Sequence, residues 1–171
     1  MKKLLSLLIV LSILLGIFCG CAEKPLTKES AEDFSFALTW GVYGISSYDS
    51  RTGKLVKTKD ATNPEDYVTY LKLPDEALEF IYEDLRRLDV ESYPDEYDPD
   101  PMMGSDPSAD LILTVRMGDY VKTIAAKDIS LSYQSLSLKG QRFIDTCLSI
   151  RDILTATDEW QALPDYEFYY D

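Results

Sequence analysis

The sequence LILTVRMGDYVKTIAA, residues 111–126, decides the fold class of this chain. Its two apolar segments, 111–117 and 120–126, are rich in β-branched residues, which favour extended strands. Gly118 and Asp119 stand between these segments, and such a pair is typical of the tight turn of a β-hairpin. A connection this short permits only antiparallel pairing, because a parallel crossover needs about a dozen residues or more. The segment therefore predicts an antiparallel sheet.

Further strands are predicted closer to the N-terminus. Apolar residues alternate with smaller ones over residues 34–42, which is the period of a half-buried strand. Residues 45–49 and 54–58 flank a four-residue loop, in which Gly53 can supply the positive φ that the turn needs. Residues 67–73 are rich in aromatic and β-branched side chains and predict another strand.

Two amphipathic helices complete the predicted fold. Pro74 is placed like a proline at the first helical position, and an apolar face follows to about Leu88. That face consists of Leu78, Ile81, Tyr82, Leu85 and Leu88. Residues 139–154 carry a second apolar face, formed by Phe143, Cys147, Ile150 and Leu154 and widened by Ile144 and Leu148. The sequence therefore predicts an α+β fold, with a mostly antiparallel sheet of five or six strands and both helices packed on one face.

The N-terminal segment indicates where the protein works. Lys2 and Lys3 precede an apolar run over residues 4–18, and this layout is typical of a secretory signal. The apolar run is shorter than the roughly 20 residues that a helix needs to span a membrane. Gly20-Cys21 resembles a bacterial lipobox, in which the cysteine is lipidated and everything before it is removed. We therefore expect a signal peptide at 1–20, a lipid at Cys21, a tether over 21–32 and a single domain at 33–171. An uncleaved anchor and a plain secreted protein are the alternatives.

Composition excludes several classes of function. The chain has 171 residues, with 17 Lys and Arg against 30 Asp and Glu, and no histidine. Two of the basic residues and none of the acidic ones lie in the signal segment, so the remaining 151 residues carry 15 basic and 30 acidic side chains, a formal charge of −15. This acidity disfavours nucleic acid. The lack of histidine excludes Ser-His-Asp and Cys-His catalysis and histidine-bound zinc. No nucleotide-binding motif occurs, and no cofactor is expected.

An acidic, proline-rich segment over residues 91–110 is the first candidate site. Asp98, Asp100 and Asp106 could offer hard oxygen ligands to calcium. The spacing does not match an EF-hand, because the glycine falls at the seventh position of the loop and an alanine stands at the twelfth. A solvated surface loop and a loop that docks a partner are the other interpretations.

The aromatic C-terminal segment and Cys147 are the remaining candidates. Trp160 and the aromatic residues of 166–170 could stack on the sugars of a wall polymer, although packing on a sheet or forming an edge strand is the commoner role. Cys147 lies on the predicted inner face of the second helix, so we expect a buried, inert thiol. No internal disulfide is expected in the mature chain, since Cys147 is its only cysteine besides Cys21.

Three segments carry a resemblance to known proteins: GVYGISSYDSRTGKLVKT at 41–58, LILTV at 111–115 and ALPDYEFYYD at 162–171. Across the mature chain, the sequence resembles a family of uncharacterised small lipoproteins from anaerobic Gram-positive bacteria. More loosely, the order of elements is similar to that of small domains of unknown function and of a class of proteinaceous inhibitors of thermolysin-like proteases. That second similarity concerns layout alone, and no inhibitory residue can be matched to this chain.

These observations predict a non-enzymatic binding domain. We expect it to be held by its lipid in the bilayer, on the extracytoplasmic face of the cell membrane, and to bind an envelope protein or a wall polymer. A protease inhibitor that acts through the exposed loop at 91–110 is one alternative. A hydrolase that uses paired carboxylates is the other.

Overall fold

The structure is a computed structural model that describes residues 33–42, 46–59, 66–101, 108–131 and 134–165. The predicted signal peptide, Cys21 and the tether lie outside the described residues. The strands are β1 (Phe34–Val42), β2 (Ser46–Asp49), β3 (Lys54–Thr58), β4 (Asp66–Tyr70), β5 (Ala109–Met117) and β6 (Tyr120–Ile129). The helices are α1 (Asp75–Leu88), α2 (Leu138–Thr155) and the short α3 (Asp158–Gln161), and a single 3-10 turn spans Val90–Ser92.

The six strands form one antiparallel sheet in the order β4-β3-β2-β1-β5-β6. β1 is central and pairs with β5 along its whole length, from Phe34 opposite Met117 to Val42 opposite Ala109. The hairpin predicted over 111–126 is present as β5 and β6, and its Gly118 has a φ of +58°. The predicted antiparallel α+β fold is confirmed.

Several predicted boundaries are wrong by one to three residues; β5, for example, begins at Ala109 rather than at residue 111. β4 ends at Tyr70 rather than at residue 73, because its partner β3 begins at Lys54, opposite Tyr70, and beyond that point only the turn residue Gly53 accepts a hydrogen bond, from the N–H of Leu71. Pro74 caps α1 rather than occupying its first turn, since its ψ of 151° is extended and not helical. β6 continues past residue 126 to Ile129.

The hydrophobic core lies between one face of the sheet and the two long helices. Alternate residues of the central strands point into it: Phe36, Leu38 and Trp40 from β1, and Leu111, Leu113 and Val115 from β5. α1 contributes the predicted face, and its Tyr82 ring packs edge-on against Phe34 at 5.2 Å between centroids. α2 crosses β1 and β5 and contacts α1. Both helices therefore cover the same face of the sheet, as predicted.

Candidate functional site

The acidic segment is ordered and attached over the part that the structure describes, residues 91–101. The N–H of Tyr97 donates to the carbonyl of Ala125 on β6 at 2.9 Å, and the N–H of Ala125 donates to the carbonyl of Asp95 at 2.8 Å. These two bonds form a parallel bridge along the outer edge of β6. This half of the segment is therefore attached to the edge of the sheet, while most of its side chains are exposed at the surface.

Aromatic side chains hold the acidic segment against α2. The rings of Tyr93, Tyr97 and Phe143 contact one another, with centroids 5.0 to 5.6 Å apart. Tyr93 is 3% exposed, and its hydroxyl donates to the carbonyl of Lys139 at 3.0 Å. Burial is the main cause that raises the pKa of Tyr93, to about 12, since the phenolate would lose its hydration there. The cluster stabilises the neutral phenol and fixes the segment in place.

Two of the three calcium candidates are described, and both already accept hydrogen bonds. Asp98 Oδ1 accepts from the N–H of Asp100 at 2.9 Å. Asp100 Oδ1 accepts from Ser135 Oγ at 3.1 Å and from the N–H of Leu136 at 2.9 Å, just before α2 begins. Asp106 lies outside the described residues. Among the described residues, no group of three acidic or cysteine side chains is placed to hold a metal ion, and the calcium site stays a prediction.

Trp160 and Cys147 both lie in the interior. Trp160 packs on Trp40 of β1 with ring centroids 5.6 Å apart, which agrees with the packing role expected for this residue. Lys57 Nζ lies 5.3 Å from the Trp160 ring centroid and 3.9 Å from the carboxylate of Asp165, so the ring also covers a buried cation. Cys147 is fully buried, and burial raises the pKa of its thiol. The aromatic residues of 166–170 lie outside the described residues.

A shallow concave surface on the solvent side of the two long helices is a further candidate site. We call it the helix groove, and its volume is about 580 Å³. Its lining consists of Phe80, Asp145, Leu148, Ser149, Asp152, Ile153 and Ala156. Phe80 comes from α1 and is 53% exposed, whereas the rest of the lining comes from α2 and the residue that follows it. The surface is open to solvent and does not enclose a ligand as a small-molecule cavity does.

The helix groove combines an apolar floor with acidic side chains. Leu148 and Ile153 are half-buried, and with Phe80 they supply the apolar surface. Asp145 accepts a hydrogen bond from the neutral amide of Gln141 at 2.7 Å. Asp152 accepts from Arg151 at 2.7 Å, but two-thirds of its side chain is exposed. The lining holds two carboxylates and no lysine or arginine, so its charge favours a cationic ligand.

The chain matches no protein-family model, and no curated protein is significantly similar to it. The resemblance to small lipoproteins stays a prediction. Within the described ranges, no helix combines the length and the apolar character needed to cross a membrane.

Sequence reasoning missed the helix groove, although a signal for it is present. Phe80 does not belong to the predicted inner face of α1, and it stands among acidic residues on the opposite side. Ile153 is likewise outside the face predicted for α2. A large apolar residue on the polar side of an amphipathic helix is an exception to the pattern, and two such exceptions on neighbouring helices indicate a shared surface.

Proposed function

We propose that this chain is a lipid-anchored binding protein on the extracytoplasmic face of the membrane, and that its helix groove receives a basic segment of an envelope protein. The observation that carries the proposal is the exposed Phe80 beside Asp145 and Asp152 in one concave surface. Apolar contacts supply affinity there. The acidic charge favours a cationic partner: Asp152 is paired with Arg151, whereas Asp145 is paired with no cation within the described residues.

The form of the ligand follows from the shape of the groove. An open surface between two helices suits an amphipathic helix, whose residues at spacings of three and four contact the apolar floor. Lysine or arginine on the flanks of that helix then faces Asp145 and Asp152. These two residues are seven positions apart on α2, which is about 10.5 Å along the helix axis. That spacing suits two charges on the rim of a docking surface better than the close carboxyl pair of a retaining glycosidase, at about 5 Å.

The anchoring half of the proposal rests on the N-terminal sequence. Two lysines, an apolar run and Gly20-Cys21 favour lipidation at Cys21. The tether that follows has a root-mean-square length of about 18 Å if it is flexible, which holds the domain close to the bilayer surface. Within the described residues, every buried core side chain lies at or after Phe36, so a chain that begins at residue 22 keeps all of them.

Lipidation is tested by growing cells that express the chain in radioactive palmitate. We expect label on the wild-type chain, no label on Cys21→Ala, and retained label on Cys19→Ala. The second variant is the matched control, because it removes a neighbouring cysteine and leaves Gly20-Cys21 intact. Label that persists in Cys21→Ala would refute the assignment.

Groove binding is tested with a synthetic amphipathic helix of leucine and lysine, and the same peptide with glutamate in place of lysine. Fluorescence anisotropy with the chain from residue 22 should detect binding of the lysine peptide only. Phe80→Ala should weaken it about tenfold, since a partly buried phenyl ring contributes roughly 1–2 kcal/mol. Val121→Ala removes an exposed apolar residue from β6 instead and should change nothing. Equal binding of both peptides, or an unaffected Phe80→Ala, would contradict the proposal.

A further inference from the structure

The outer edge of β4 is an exposed strand edge with no partner in the described part of the chain. β4 is the last strand on its side of the sheet. Its side chains on the face away from the helices are Asp66, Val68 and Tyr70, of which Val68 is 47% exposed and Tyr70 is 68% exposed. The strand contains no proline, no lysine and no bulge, which are the usual devices that protect an edge from pairing.

The register with β3 tells which main-chain groups face outward. The N–H of Leu71 donates back to the carbonyl of Gly53 at 2.7 Å, so the main chain of Leu71 points toward β3. Successive residues of a strand alternate in this direction, which assigns the main-chain groups of Tyr67 and Thr69 to β3 as well. The N–H and C=O groups of Asp66, Val68 and Tyr70 therefore point to the open edge.

The opposite edge of the sheet is closed at the corresponding place. On β6, both main-chain groups of Ala125 are occupied by the acidic segment, through Asp95 and Tyr97. Lys122 also forms an ion pair with Asp95 across this edge. Within the described residues, the edge of β6 is thus partly covered, whereas the outward main-chain groups of β4 have no partner.

We propose that β4 pairs with β4 of a second copy of this chain, in antiparallel register about Val68. In this register Val68 lies opposite Val68 of the second copy. Asp66 of each copy lies opposite Tyr70 of the other, so the two-fold symmetry gives two such pairs. Each of the three residues that point outward then exchanges its main-chain hydrogen bonds with its counterpart. The two six-stranded sheets become one continuous sheet.

Charge complementarity favours a second copy as the occupant. Lys54 lies next to Tyr70 on the same face of the sheet, and Lys72 follows Tyr70 in the chain. Both lysines are exposed, and neither forms an ion pair within the described residues. In the proposed register, Asp66 of one copy faces this basic end of the other, with Lys72 on the diagonal at about 7–8 Å, within reach of a long side chain. The acidic end of each strand thus meets the basic end of its partner.

Cysteine cross-linking of the full chain in bacterial membranes tests the contact directly. Opposed residues of a hydrogen-bonded pair have Cα atoms about 5.5 Å apart, which allows a disulfide. We expect Val68→Cys to give a disulfide-linked dimer under mild oxidation. Val121→Cys is the matched control, since Val121 is also an exposed valine, 58% exposed, but lies on β6. It should stay monomeric, as should the wild-type chain, in which Cys147 is buried. Failure of Val68→Cys to dimerise while it still reacts with maleimide would overturn the proposal.

A charge exchange made on top of the Val68→Cys substitution tests the register of the pairing. In the Val68→Cys background, Asp66→Lys should reduce cross-linking about tenfold, because it places like charges next to each other at both ends of the interface. Adding Lys72→Glu should restore it, since the two charges are then exchanged and again complementary. Rescue supports the antiparallel pairing about Val68. An unchanged yield in Asp66→Lys, or a double variant that stays as weak as the single one, would overturn it.

Discussion

The clearest test of the hairpin geometry is a pair of glycine substitutions, Gly53→Ala and Gly118→Ala. Both glycines have positive φ, +70° and +58°, in turns that connect antiparallel strands. Their surroundings differ. A Cβ on Gly118 would have no neighbour within 4 Å, whereas a Cβ on Gly53 would lie 2.8 Å from the carbonyl oxygen of Leu71. The two variants therefore share the conformational cost, and only one of them has the clash.

The shared cost is modest. An alanine in the left-handed region destabilises the folded state by roughly 1–2 kcal/mol. Replacing glycine by alanine also lowers the conformational entropy of the unfolded chain, which offsets about 0.4–1 kcal/mol of that loss. We expect Gly118→Ala to lower the free energy of unfolding by about 1 kcal/mol.

The clash adds the loss of neighbouring hydrogen bonds. Leu71 cannot move its carbonyl alone, because its N–H donates to the Gly53 carbonyl at 2.7 Å and its oxygen accepts from the Tyr48 hydroxyl at 3.2 Å. Weakening both bonds costs about 0.5–1.5 kcal/mol each. Gly53→Ala should therefore lower the free energy of unfolding by about 3 kcal/mol, roughly 2 kcal/mol more than Gly118→Ala.

Urea denaturation of the chain from residue 22, followed by tryptophan fluorescence, measures both values. Equal m-values in the two variants would show that the comparison concerns stability and not the compactness of either state. Equal losses of stability would refute the reasoning, since they would mean that the Leu71 carbonyl yields without cost.

Three further predictions concern the interior and the acidic segment. Tyr93→Phe should reduce the loss of folding stability at alkaline pH. Burial raises the pKa of Tyr93 in the folded state to about 12, so its stabilising contribution is complete below pH 10 and declines by about 1.4 kcal/mol per pH unit between pH 10 and 12. Urea titrations at several pH values measure this difference between the wild-type chain and the variant. Cys147 in the chain from residue 22 should resist iodoacetamide at pH 8 and react only in denaturant, because burial raises its pKa; rapid alkylation of the native chain would contradict the buried position. Asp100→Ala should lower the free energy of unfolding by about 1–2 kcal/mol in calcium-free buffer, because the Asp100 carboxylate accepts two hydrogen bonds from residues just before α2. Asp119→Ala, in the exposed β5–β6 turn, is the control and should change the free energy of unfolding little.

Local patterns predicted the strands of the two hairpins well, because the contacts within each hairpin join residues that are close in sequence. The β2–β3 and β5–β6 hairpins each join neighbouring strands, and their turn glycines have the positive φ that the sequence indicated. α1 was equally accessible, since its inner face repeats at helical spacing and ends at Leu88 as predicted. The errors lie at ends, such as that of β4, where the length of the partner strand decides the boundary.

The acidic segment could not be predicted in the same way, because its structure depends on distant partners. Its prolines and acids have no periodicity, and composition alone favours a solvated loop. The aromatic contacts that fix it join Tyr93 and Tyr97 to Phe143, about fifty residues later in the chain. Asp100 likewise finds its hydrogen-bond donors at Ser135 and Leu136. No local pattern in residues 91–101 specifies those partners.

The same distinction explains why the two proposed interaction surfaces were not predicted from the sequence. A groove or a strand edge is available for binding only where no other part of the chain covers it. Which surfaces stay uncovered depends on the topology of the whole fold. β4 and β6 both have strand patterns, yet Ala125 on β6 is bonded to the acidic segment whereas the outward groups of Val68 on β4 find no partner among the described residues. The acidic segment can protect β6 only because α2 holds it there, through Asp100 and the aromatic cluster. The segment that first suggested a ligand site is therefore better explained as the cover of one sheet edge, and the functional argument moves to the surfaces that the fold leaves open.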